Sequence, residues 1–156
     1  MTHEQMIAHL RSCNEIAMQA VKDGHHPFGA ILIGPDDTEI ILQQGNVDVV
    51  RHAESELSRA AHLKFEPDFL WQCTLVTTVE PCAMCAGTQY WANIGRLVFG
   101  IAETKLLELT GSDDRNPTLS VPSRSIMESG QKDIQVFGPF PELEDELAAP
   151  HKTFWA

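Results

Sequence analysis

Basic charge is scarce in this chain. Eleven Lys and Arg stand against 22 Asp and Glu in 156 residues, a formal net charge of −11. Polynucleotide binders draw most of their affinity from neutralised phosphates and carry a basic stripe. Here Arg and Lys occur singly and the late stretch PELEDEL is acidic, so a nucleic-acid partner is not expected. Long apolar runs are also missing. No segment approaches the roughly 18 residues that cross a bilayer, and no membrane partner is expected. The opening MTHEQMIAHLRSCNE mixes charged and apolar residues, unlike a signal peptide, and the expected location is the cytoplasm.

Cysteine is sparse as well, with four residues: Cys13, Cys73, Cys82 and Cys85. A disulfide framework is not expected, because a chain of this length can build a core without one. Cys13 and Cys73 are expected as small buried apolar residues, whereas Cys82 and Cys85 at CxxC spacing point to metal or redox chemistry. Repeats, low-complexity tracts and linkers are absent, so residues 1–156 are expected to form a single domain.

What is present alternates. Thr2 and Gln5 have the spacing of a capping box, followed by apolar residues at Met6, Ile7, Leu10, Ala17 and Val21, which predicts a helix closed at Asp23-Gly24. Phe28 to Ile33 and Glu39 to Leu42 predict a hairpin around Gly34–Asp37. Helices are expected over about 52–62, 82–93, 104–110 and 141–149, with strands over 73–79, 96–99 and 134–137. The stretch 111–122, broken by Pro117 and Pro122, is expected as a loop. Alternation of this kind predicts a sheet covered by helices on both faces.

Two segments carry chemistry: RHAESE at 51–56 and VEPCAMCAG at 79–87. Cys82 and Cys85 lie three apart at a helix start, where the partial positive charge favours thiolates. His52 opens another expected helix. One imidazole and two thiolates suit zinc better than magnesium or calcium, and three protein ligands leave a fourth position for water, as in a catalytic rather than a structural site. Glu54, two residues beyond His52, is placed to move protons without binding the metal.

His-x-Glu followed by Pro-Cys-x-x-Cys resembles the signature of zinc deaminases. With HPFGAILI, GNVDVVRHAE, TTVEPCAMCAGTQYWA and RLVFG, the chain resembles the cytidine deaminase-like superfamily, closest to its small bacterial guanine deaminases and tRNA adenosine deaminases. The resemblance implies a three-layer αβα fold with a five-stranded mixed sheet, one Zn2+ per chain on His52, Cys82 and Cys85, and Glu54 as catalytic proton shuttle. It implies substrate-binding roles for Asn46, which alternatively is a turn residue, and Phe28, which alternatively belongs to the core. Trp91 in YWA is similar to a tryptophan lining the base pocket. Asp114, and more weakly Asp113, is similar to an aspartate that binds the purine edge, although SDDRNP also reads as a solvated turn. Trp155, or Phe154, is similar to an aromatic lid over the site or that of a neighbouring subunit. The connection between Asn46 and His52 is shorter than in such relatives, and Ser112 replaces a phenylalanine of the guanine deaminase pattern.

The expected activity is hydrolytic deamination of a free nucleobase or small nucleoside: guanine-like, with isoguanine, cytosine and aminotriazines as further candidates. A homodimer is implied. The alternatives are a tRNA-specific adenosine deaminase, for which the acidic tail is ill suited, and a non-catalytic zinc-binding partner subunit, for which retention of Glu54 is unexpected.

Overall fold

A computed structural model describes residues Met1–Ala156. Thr2 caps α1 (His3–Lys22) through the expected reciprocal box: its hydroxyl accepts from Gln5 N–H, and the Gln5 side chain accepts from Thr2 N–H. The chain then forms the hairpin β1 (Gly29–Ile33) and β2 (Ile40–Gly45), followed by α2 (Ala53–Lys64) and a short α3 (Pro67–Trp71). Next come β3 (Thr74–Val79), α4 (Ala83–Ala92), β4 (Arg96–Ile101), α5 (Glu103–Thr110), α6 (Ser123–Glu128), β5 (Gln135–Phe137) and α7 (Glu144–Phe154).

The five strands lie in the order β2-β1-β3-β4-β5. β1 is antiparallel to β2 and β3, whereas β3, β4 and β5 run parallel, so the sheet is mixed. Strand side chains alternate between its faces. Ile31, Ile33, Val76 and Val98 pack beneath α1 and α7 with Leu10, Phe140 and Leu147. Leu32, Leu75, Leu97 and Phe99 pack on the opposite face with Leu57, Leu70 and Ile94. Two cores on one sheet make three layers. Every residue of β1 and β3 is buried, which explains their unbroken apolar or β-branched sequences.

Close packing has a local requirement at Gly29. A Cβ there would stand 2.5 Å from Cys13 O and 2.8 Å from Ala17 N, so only glycine lets α1 approach the start of β1. Cys13 and Cys73 are fully buried, as expected, and all four cysteines are free.

Three elements depart from the sequence expectation. α3 and α6 are helices of five and six residues, too short for a periodic signal, each introduced by a proline. α7 continues through Pro150 to Phe154, beyond the expected end near residue 149. Proline cannot donate to the carbonyl of Glu146; that oxygen accepts from Asn14 Nδ2 of α1 at 3.4 Å instead. No helix is long and apolar enough to cross a membrane.

Candidate metal centre and active site

Most of the residues singled out in the sequence gather where β3 and β4 end. Open α/β sheets place their sites outside the carboxyl ends of the strands, and here the antiparallel β1 begins and β2 finishes at the same edge. Phe28 precedes β1, Asn46 follows β2, Glu80 follows β3 and Glu103 follows β4.

His52 and Cys82 are the N-cap residues of α2 and α4, and neither uses its side chain to cap its helix. Both side chains turn instead toward a shared point. His52 Nδ1 lies 3.6 Å from Cys82 Sγ and 3.6 Å from Cys85 Sγ, and the two sulfurs are 3.7 Å apart. A tetrahedron with Zn–S near 2.3 Å and Zn–N near 2.0–2.1 Å has edges of about 3.8 Å between sulfurs and about 3.6 Å from sulfur to nitrogen. The three donors therefore fit a zinc ion in spacing as well as in chemistry. His52 Nε2 donates to Val49 O at 3.0 Å, which fixes the ring and leaves Nδ1 as the ligand atom. Hydrogen bonding with Cys85 and then with His52 holds the Cys82 thiol down to about 4, against burial.

Glu54 stands in the first turn of α2 and is 5% exposed. Burial raises its carboxyl pKa. Thr77 Oγ1, from the central strand β3, donates to Glu54 Oε1 at 2.9 Å and anchors it. Two adjoining cavities, of about 30 Å³ and about 230 Å³, open onto these groups. The inner one is lined by Phe28, His52, Glu54, Glu80, Cys82, Glu103 and others, and the outer one adds Asn46, His26, Arg115 and Pro117. Asn46 is buried, and its Nδ2 donates to Asp48 O at 3.1 Å.

Of the expected site residues, Phe28, Asn46, His52, Glu54 and Cys82 line these cavities, with Cys85 beneath them. Three others lie elsewhere in this chain. Trp91 is 79% exposed on the outer side of α4, in a groove with Arg59, His62, Leu63 and Met84; a tryptophan nine residues along a helix from Cys82 points away from the ligands. Asp114 is exposed in the α5–α6 loop, while its neighbour Asp113 pairs with Arg115 at 2.6 Å. Trp155 is buried one layer behind the cleft: its ring meets His26 edge-on at 5.1 Å, its Nε1 donates to His151 Nδ1 at 3.0 Å, and Arg115 stacks over it at 5.3 Å. It backs the wall rather than forming it.

Sequence reasoning missed Thr77, Glu80, Glu103, Arg115 and Asn116. Glu80 Oε1 accepts from Glu103 N–H at 3.1 Å, and its Oε2 accepts from the backbone and hydroxyl of Ser123 at 2.9 and 2.7 Å. The only linear signal for Glu80 and Glu103 was a glutamate soon after the end of β3 and of β4. Burial, and then the charge of Glu54, pushes the Glu103 carboxyl up to about 9.

Residues 3–101 match the family model described as the cytidine and deoxycytidylate deaminase zinc-binding region. A probable cytosine deaminase of Schizosaccharomyces pombe is 40% identical, across 97% of this chain and 93% of that one. A tRNA-specific adenosine deaminase of Haemophilus influenzae is 33% identical, across 82% and 80%. A solved guanine deaminase from Nitrosomonas europaea superposes with a TM-score of 0.70 at 23% identity, across 93% of this chain and 81% of that one, a likeness of fold.

Proposed function

The chain belongs to the zinc-dependent cytidine and deoxycytidylate deaminase family, and from that premise we propose that it removes the exocyclic amine of a free nucleobase by hydrolysis. The observation that carries the reading is the buried Glu54 beside three donors spaced for tetrahedral zinc, on an inner cavity of about 30 Å³ that adjoins one of only about 230 Å³. Sites for drug-sized ligands usually run from about 300 to 1,000 Å³, so a single heterocycle fits better than a nucleotide chain. Cytosine stands first among candidates because the relative that matches over nearly the whole chain is described as a probable cytosine deaminase. Guanine, isoguanine and aminotriazines follow. The tRNA reading is disfavoured by the net charge of −11.

His52, Cys82 and Cys85 would hold the zinc ion, which when bound supplies the Lewis acidity that activates water at neutral pH. Glu54 accepts a proton from the attacking water and passes it to the ring nitrogen beside the amine-bearing carbon. The carbon becomes tetrahedral, Glu54 delivers the second water proton to the amine, and ammonia leaves as the carbonyl forms. Phe28 offers a ring edge or face to the base, and Asn46 offers an amide to its polar rim. Trp155 supports the outer wall of the pocket from behind, through His26 and Arg115. The free thiols suit the reducing cytoplasm, and the exposed groove around Leu63 and Trp91 supports a homodimer.

The test is ammonia release by zinc-loaded protein from cytosine, guanine, isoguanine, adenine, aminotriazines, their nucleosides and a tRNA anticodon stem. Release from a free base, lost by a factor of about 10² or more in Glu54→Ala with zinc retained, is expected. Release from the tRNA stem alone would overturn the free-base reading, and wild-type turnover in Glu54→Ala would overturn the role of that residue.

A further inference from the structure

Three buried carboxyls face the inner cavity: Glu54, Glu80 and Glu103. Two are committed. Glu54 is anchored by Thr77 and lies beside the metal donors. Glu80 spends both oxygens on the backbone of Glu103 and on Ser123, which ties the start of α5 to the start of α6. Glu103 is different. It is 6% exposed, yet its carboxyl takes no hydrogen bond from the chain, while its own N–H is gripped by Glu80.

A carboxyl enclosed in this way gains from a donor partner, and no side chain of the cavity walls donates to it: Asn116 Nδ2 is spent on Thr118 and Asn46 Nδ2 on Asp48 O. No Lys lines either cavity, and the one Arg of the outer wall, Arg115, is engaged by Asp113. Glu103 is one of five residues that line both cavities, with Phe28, His52, Cys82 and Asn116, and has Glu54 on the inner side and Asn46 on the outer. The group that fills this space must therefore bring its own N–H donors to the junction between the two.

We propose that Glu103 is the substrate-recognising carboxyl of this pocket, accepting a ring N–H of the free base on an edge other than the one being deaminated. The assignment rests on the free-base reading above and narrows it. The amine and its neighbouring ring nitrogen must face Glu54 and the metal donors for hydrolysis to proceed, so Glu103 meets another edge of the ring. In a free pyrimidine or purine such an edge carries an N–H, the position that bears the sugar in a nucleoside. A nucleoside would lose that donor and press its sugar against a buried, unpaired carboxyl. Discrimination of this kind is strong, because a site built to bond an N–H is left unpaired by an analogue without it. The pocket thereby selects free bases over nucleosides.

The experiment compares cytosine with 1-methylcytosine, and guanine with 9-methylguanine, in the wild type, Glu103→Leu and Glu103→Gln, all zinc-loaded. Leu has a similar bulk, no acceptor, and apolar residues on the same cavity wall in Phe28, Val79 and Leu106; Gln keeps one carbonyl acceptor on a side chain of the same length. The wild type is expected to prefer the unmethylated base. Glu103→Leu should raise KM for that base about tenfold or more, with kcat within about threefold, and should erase most of the preference. Glu103→Gln should recover part of both. A preference unchanged in Glu103→Leu, or a fall in kcat with KM and preference intact, would overturn the assignment. If Glu103→Leu does not fold, Glu103→Gln alone decides, since wild-type KM and full preference there would equally overturn it. A wild type that releases no ammonia from any base would instead sink the free-base reading itself, a result separable from loss of preference alone.

Discussion

At the scale of the residue, the site depends on side chains whose ordinary tasks have been reassigned. His52 and Cys82 occupy N-cap positions without capping, so two helix N-termini point their partial positive charge at one cluster of thiolates. Thr77 is a β-strand residue turned into the anchor of a buried acid. Thr77→Val keeps the shape and removes the donor. It is expected to lower kcat by about tenfold, within the range spanned by general acid–base groups, and to cost about 1 kcal/mol of stability, with zinc content unchanged by atomic absorption. A kcat within twofold of wild type would mean that Glu54 is held by its own helix alone. The metal ligands and Glu54 were legible because each motif is local. Thr77, 23 residues from Glu54, had no local signal, since a threonine in a strand of β-branched residues has no outward mark of a second role.

At the scale of the element, α7 is the part whose end was least legible. Pro150 ordinarily marks a helix boundary, but a side chain of α1 serves the carbonyl it leaves free. The extra turn buries His151 against Phe28, ring centroids 5.2 Å apart, with Nδ1 accepting from Trp155. Burial lowers the His151 pKa to about 4, against about 6.5 in an unfolded chain. Both states are neutral above pH 6.5, and the full stability is present there. As pH falls from 6.5 toward 4 the unfolded chain takes up a proton that the fold refuses, and about 3 kcal/mol is progressively lost. Urea titrations at pH 7 and pH 5 should show a smaller drop for His151→Leu than for the wild type. Equal drops would remove His151 from the account.

At the scale of the molecule, the sheet order decides what meets what. Because β1 is antiparallel to β3 while β4 is parallel to it, the start of one strand and the ends of two others share an edge, which gathers Phe28, Glu80 and Glu103 around the metal donors. The same packing turns the outer faces of α2 and α4 to solvent, leaving Leu63 86% and Trp91 79% exposed. A groove of this kind is what a self-associating surface needs. Sedimentation at micromolar concentration is expected to show a dimer for the wild type and a monomer for Leu63→Glu. A wild-type monomer would contradict the proposed assembly.

The sequence alone determined the three metal-binding residues and the alternating architecture, and its motif set Glu54 two residues from a metal ligand. Each follows from short spacings or from composition, which survive unfolding. Only the tertiary structure decided which distant carboxyls enter the pocket, that Trp91 and Asp114 lie outside it in this chain, and that Trp155 backs its wall. Those outcomes are set by the direction of a side chain on a packed helix and by the order of strands, and a linear chain carries neither until its two cores have closed on the sheet.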